Sequence, residues 1–189
     1  MKITFCLLVF LIVPSLVFGQ DREYALEASS SIFSFEVEHF GVATVNGTFA
    51  IARGTIVYDS NQPDSMSAQI TIDVKSIDTD KALRDKELRS EDFLDTERYP
   101  TIEFSSTGIG KARNAGQKKT VKGKMTVYGT TRDVELPFLL SLDATGNEAT
   151  IRSEFVLNRK DYKMKFGFLM DSLVGDEIKV SAVIVGKRK

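Results

Sequence analysis

The chain predicts an all-β fold: an antiparallel sheet of eight to nine strands rolled into a barrel, with one short helical segment near an opening. Three observations carry that prediction. Apolar and polar residues alternate with a period of two along most of the sequence, the pattern of strands with one buried face. Short turn-forming links such as Tyr128-Gly129-Thr130-Thr131 and Asp143-Ala144-Thr145-Gly146-Asn147 join the alternating runs and make successive strands antiparallel neighbours. Only one stretch after the leader is clearly not β in pattern, the charge-dense run from Arg84 to Pro100. A length of 189 residues fits one domain.

Residues 1–19 read as a secretory leader: Lys2, an apolar run, then Val17 and Gly19 at the positions a signal peptidase reads. An uncleaved anchor is the alternative, since the run approaches the ~18 apolar residues that begin to span a bilayer. Pro14 and the small residues near the end fit cleavage better. The only cysteine, Cys6, leaves with the leader, so the mature domain, 20–189, has no disulfide and no thiolate. The expected location is periplasmic or secreted, with no integral span after cleavage.

The Tyr24 stretch opens the strands. Phe33, Phe35, Val37 and His39 share one face of the next, with Ser34, Glu36 and Glu38 on the other. Gly41 ends it. Val45 to Tyr58 reads as one long strand with Val45, Gly47, Phe49 and Ile51 on its inner face. A third alternates Ala68, Ile70, Ile72 and Val74 with polar residues. The charged stretch then predicts one or two short helices, docked through Leu83, Leu88, Phe93 and Leu94, with Ser90 as N-cap of the second and Pro100 as the stop. Ile102, Phe104 and Ser106 alternate next, and Lys111 to Lys119 reads as an exposed hairpin loop. Four further strands carry Val121/Gly123/Met125/Val127, Val134 to Leu142, Ala149 to Leu157 and Ile178 to Ile184, the last after an excursion through Asn158 to Glu177. Gly47 and Gly123, each inside a strand, predict sharp bends of a curved sheet.

Lys+Arg 25 against Asp+Glu 26 leaves a net charge of −1, which offers no electrostatic footprint for nucleic acid. His39 is the sole histidine, so any Ser/His/Asp triad would need it, and no His/carboxylate cluster has metal-ligand spacing. Strand parity points His39 inward, either as a satisfied core histidine or as a donor to a ligand head group. The carboxylates of 85–97 interleave with Arg84, Lys86, Arg89 and Arg98, the pattern of a solvated helix face. Arg84 or Arg89 leaning over the mouth toward a polar head is the functional alternative, and Arg159 carries the same two readings. An eight-stranded barrel is just wide enough to be filled by side chains or to hold one ligand. Thirteen Phe and no Trp suit either a dry core or an apolar tunnel, and the strand pattern leaves both open.

Phe35-x-Val37-x-His39-Phe40-Gly41 with Val45-x-Gly47-x-Phe49, Ser76-Ile77-Asp78-Thr79, and the block Arg84-Asp85-x-x-Leu88-Arg89-Ser90-x-Asp92-Phe93-Leu94-Asp95 followed by Tyr99-Pro100-x-Ile102-x-Phe104-x-Ser106 resemble the YceI-like family. So do Val121-x-Gly123-x-Met125-Thr126-Val127-x-Gly129, Arg159-x-Asp161-Tyr162 and Val174-Gly175-Asp176-Glu177-Ile178. The resemblance implies an extended eight-stranded lipocalin-like barrel and an exported protein that binds a polyisoprenoid or similar long-chain amphiphile, such as a quinone or an acyl amide, in an apolar tunnel. On that basis Phe33, Phe35, Val37, Phe49, Phe104, Phe138 and Phe155 are expected to line the tunnel, and His39, Arg84 and Arg159 to meet the head of the ligand. The bound lipid is expected to be cargo, with no cofactor and no metal, and a homodimer stays open. No enzymatic activity is expected. The rivals are an enzyme acting on a lipid through His39 and a filled-core interaction protein. One departure stands out: Lys163 occupies the position after the aromatic of Arg-x-Asp-aromatic, where many relatives have glycine.

Overall fold

The computed structural model describes residues 22–110, 118–167 and 171–189. The leader and its cleavage point, most of the Lys111–Lys119 loop, and residues 168–170 of the apolar excursion lie outside the described residues. The remainder is eleven antiparallel strands and one α-helix.

The strands are β1 (Arg22–Leu26), β2 (Ile32–His39), β3 (Ala43–Phe49), β4 (Ala52–Tyr58), β5 (Ser67–Asp73), β6 (Ile77–Asp78), β7 (Thr101–Gly110), β8 (Lys119–Val127), β9 (Thr130–Leu142), β10 (Glu148–Asn158) and β11 (Val174–Arg188). The helix α1 covers Ala82–Arg89. Three pairs of these strands each form one stave. β1 and β2 follow each other along the same flank of β11, β3 and β4 pair in turn with β2 and β1, and β6 and β5 pair with β3 and β4. Together with β7 to β11 this makes eight staves, closed where β1 meets β11. Closure pairs the two outer staves of the sheet with each other.

The three compound staves break at one level, at the 3-10 turn Ala28–Ser30, at Ala50-Ile51, and at the 3-10 turn Val74–Ser76. The long strand expected from Val45 to Tyr58 is therefore two. Below the break the inward parity shifts by one residue: Phe49 is the last inward residue of β3, Ala52 and Ile56 are buried in β4, and Ile51 is 55% exposed. A one-residue shift turns every later side chain to the opposite face, so Ile51 leaves the interior. Ser76 bridges the gap: Ile51 N–H donates to its Oγ at 3.0 Å and Ala50 N–H to its carbonyl at 3.2 Å.

Above Asp73/Thr101, β6 leaves β7, and the space is filled by α1 and residues 90–100. Its residues from Ala82 to Arg89 are mostly good helix formers. Of the one or two helices expected, one forms. Ser90 ends α1, its hydroxyl donating back to the Glu87 carbonyl at 2.7 Å, so it cannot cap a second helix. Asp95 then takes φ 44, a left-handed residue that interrupts any helical run. Residues 90–99 are turns in which the amides of Phe93 and Asp95 both reach the Ser90 carbonyl. Leu88, Phe93 and Leu94 face inward as expected, whereas Leu83 points to solvent, 86% exposed.

The end of the barrel opposite α1 is closed by a tightly packed cluster around Tyr24, Ile56 and Ala149, all fully buried. The Tyr24 hydroxyl donates to the Gly146 carbonyl at 3.1 Å, which satisfies the one polar atom that this plug takes out of water.

Candidate functional site

Inward side chains of every stave surround an elongated cavity of about 360 Å³. It runs from Ala182, Ile184, Phe138 and Ile151 near the plug to Val174, Phe166 and His39 at the helix end. Along β2 alone it spans Phe33 to His39, six residues or about 20 Å at the rise of a strand. The volume lies within the roughly 300–1,000 Å³ of small-molecule sites.

Two glycines keep this bore open. Gly47 lies across from Phe35 in the β2–β3 ladder, and a β-carbon there would stand 2.4 Å from the tip of the Phe35 ring. Gly123 does the same for Phe104, whose ring lies 2.6 Å from the missing β-carbon, with the Ser105 carbonyl also at 2.6 Å. The expected sharp bend is thus better described as a seat: each glycine lets an aromatic ring from the neighbouring strand lie flat on the wall instead of crossing the lumen. Phe35 meets Phe49 with ring centroids 5.7 Å apart.

The polar lining is sparse and uneven. Ser34 and Ser153, midway down, donate to backbone carbonyls of Ser181 and Pro137, at 3.2 and 2.7 Å. The others, His39, Arg84, Glu87, Tyr99 and Tyr128, gather at the helix end. The His39 ring packs edge-on against Phe40 at 4.1 Å and has no hydrogen-bond partner among the described residues. Arg84 is set by Thr79, to whose Oγ1 and carbonyl it donates at 2.7 and 2.6 Å. Thr79 is held in turn by the buried Asp85 carboxylate, which accepts from both its amide and its hydroxyl. That leaves Nη1 of Arg84 without a protein partner among the described residues. Tyr99 and Tyr128 pack at 4.2 Å, and burial, with Tyr99 and Asp95 nearby, pushes the Tyr128 phenol above its ordinary 10.0, so it stays a neutral donor.

Of the ten residues expected at the site, nine line this cavity: Phe33, Phe35, Val37, His39, Phe49, Arg84, Phe104, Phe138 and Phe155. Arg159 does not, and the structure places it away from the cavity. It is fully buried beneath the excursion that follows β10. Its five N–H donors meet the carbonyls of Gly175, Met164, Asp171 and Val174 and the Asp171 carboxylate at 2.6–3.2 Å, and the Asp176 carboxylate lies 3.0 Å from Nη2. A guanidinium has five N–H donors, so nothing is left for a ligand. Arg159 clamps Met164, Asp171, Val174 and Gly175 through their carbonyls. Lys163 closes the turn Arg159–Tyr162 at φ 58, a left-handed position that glycine takes without strain.

Phe93, Leu94, Tyr99 and Phe166 also line the bore, although none was among the ten. They come from segments with no strand periodicity. Phe93 and Phe166 meet at 5.2 Å and close the wall beside α1. β9 and β10 pair only through Leu139–Leu142 and Ala149–Arg152; above that they part, and Tyr162 fills the wedge with Met125, Val127 and Met164.

Fold and site together define a single-bore antiparallel barrel whose interior is apolar except at one end. The YceI-like domain matches residues 24–185, and the chain belongs to the YceI-like family. It is 32% identical to Protein YceI of Escherichia coli O157:H7 over 149 residues, 77% of this chain and 76% of that protein. The crystal structure of Burkholderia cenocepacia BcnA superposes with a TM-score of 0.76 at 25% identity, covering 85% of this chain and 98% of that one. A polyisoprenoid binding domain from Saccharophagus degradans shares the fold, with a TM-score of 0.69 at 16% identity over 88% of this chain and 98% of that one.

Proposed function

We propose that this protein is an exported carrier that holds one long-chain amphiphile, a polyisoprenoid, quinone or acyl amide, with its tail in the bore and its head among His39, Arg84, Glu87, Tyr99 and Tyr128. The observation that carries this is the distribution of polarity in the lining: along a bore of about 20 Å, every charged or aromatic polar side chain stands at the helix end, and the only others, Ser34 and Ser153, spend their hydroxyls on backbone carbonyls. Burial of each CH₂ is worth about 0.8 kcal/mol, so about ten of them supply ~8 kcal/mol. Association itself costs ~4–15 kcal/mol. Short acyl chains are therefore not retained, and length is the specificity. The likeness to a polyisoprenoid binding domain supports the ligand class, and the leader motif of residues 1–19 supports a periplasmic or secreted location. The bore is complete within one chain, so a homodimer is not needed to build it. Among the described residues no carboxylate is hydrogen-bonded to His39, which favours a head-group contact over a general base.

Mass spectrometry of an organic extract of the purified protein is expected to find a long-chain lipid, and a fluorescent long-chain probe is expected to compete with it. Phe35→Asp places a charge in the lumen and is expected to abolish probe retention, because an unpaired carboxylate in an apolar site is far more costly than a lost contact. An extract without lipid, together with a probe that never binds, would end this reading.

A further inference from the structure

We propose that the turn Phe40-Gly41-Val42, at the helix end of the bore, inserts its apolar side chains into a lipid bilayer and so presents the bore to the membrane that supplies or receives the cargo. This rests on the carrier reading. Val42 is 91% exposed and Phe40 56%; Leu83, in the first turn of the helix that gives the bore Arg84 and Leu88, is 86% exposed. Val42 and Leu83 are the two most exposed large apolar side chains among the described residues.

The backbone says that folding did not select the aromatic. Phe40 and Gly41, the central residues of the turn, both have positive φ, 57 and 66. Hairpin turns of that kind favour Asn-Gly, because a residue with a bulky side chain is strained there. Phenylalanine is among the poorer choices for the backbone, and its ring gains little burial in return. It does lie against the His39 ring, 4.1 Å away, and His39 lines the bore. The exposed apolar surface is thus continuous with the rim of the cavity, and a tail sliding from bilayer to bore along it avoids water. No lysine or arginine occurs from Phe40 to Thr44, and the charged residues that precede the turn on its own strand are acidic, Glu36 and Glu38, the former paired with Lys179 at 2.9 Å. The occupant that fits is the hydrocarbon boundary of a neutral bilayer, not an anionic headgroup layer.

The test is co-sedimentation of the mature protein with phosphatidylcholine vesicles at low and high salt. Wild-type protein is expected to bind at both, and the Phe40→Asn/Val42→Asn double variant to partition at least about tenfold more weakly. The same variant is expected to melt no lower than wild type, since asparagine suits positive φ, and to keep binding the fluorescent long-chain probe in solution. Leu139→Asn, on the side of the barrel, is the control and is expected to leave vesicle binding unchanged. Wild-type protein that ignores vesicles, binding lost in high salt, or a double variant that binds as well as wild type would each overturn the proposal. In the first case the turn would be a protein contact. Failure of the carrier reading shows separately, as absence of probe binding by the wild type.

Discussion

Replacing Arg159 by methionine decides between a clamp and a ligand contact. Methionine keeps an apolar stem of similar length and removes the charge and all five donors. Loss of one partner from a buried ion pair costs about 3–5 kcal/mol. The carboxylates left behind are partly open to water, Asp171 at 37% and Asp176 at 39% side-chain exposure. They regain hydration, so the lower end applies, about 3 kcal/mol, including the donors lost by the carbonyls of Met164, Asp171, Val174 and Gly175. At roughly 2–4 °C per kcal/mol for a domain of this size, the melting temperature drops by about 6–12 °C. Thermal and urea unfolding followed by circular dichroism measure this, and probe binding well below the transition is expected to survive. A variant that melts like wild type but no longer holds the probe would refute the clamp and restore Arg159 to the ligand.

The two ring seats separate function from stability. Gly47→Ala presses on the far end of the Phe35 ring, which can swing into the lumen, and at 2.8 Å on the methyl of the buried Thr79 that positions Arg84, so probe affinity is expected to fall by more than the unfolding midpoint. Gly123→Ala meets the Ser105 carbonyl as well as the Phe104 ring and is expected to cost about 1–3 kcal/mol of stability, read from the same urea titration. Asp171 supplies a pH dependence. The Phe166 amide, and after it the Arg159 guanidinium, hold its carboxyl below the ordinary 3.8. Stability from this group is fully present above that value and is lost as pH falls through the lowered one. Acid titration of the unfolding midpoint is expected to show a loss in that range that shrinks in Arg159→Met; an unchanged acid limb in the variant would contradict it.

Much of the interior was readable from alternation alone. Phe33, Phe35, Val37 and His39 point inward because successive residues of a strand face opposite sides, and that parity survives wherever the strand is continuous. It fails at Ala50-Ile51, where the break that flips the register has no local signal: the residue that bridges it is Ser76, 25 positions away. The second expected helix fails for a related reason, because Ser90 closes one helix instead of opening another and the choice depends on where the Glu87 carbonyl lies. Phe93 and Phe166 are 73 residues apart in sequence and meet only after the excursion beyond β10 folds back onto the segment after α1.

Arg159 marks the limit most clearly. An arginine after a strand reads equally as a ligand contact or an ion pair, since a side chain's chemistry does not say which acceptors the fold will bring to it; only the approach of Met164 and of Asp171, Val174, Gly175 and Asp176 encloses it. The class of fold, the inward faces and the family came from short-range pattern, which any chain of this composition and order must express locally. Whether those faces meet or leave a bore was decided at longer range, by Gly47 and Gly123 letting rings lie against the wall and by an eight-stave closure whose diameter no single strand encodes.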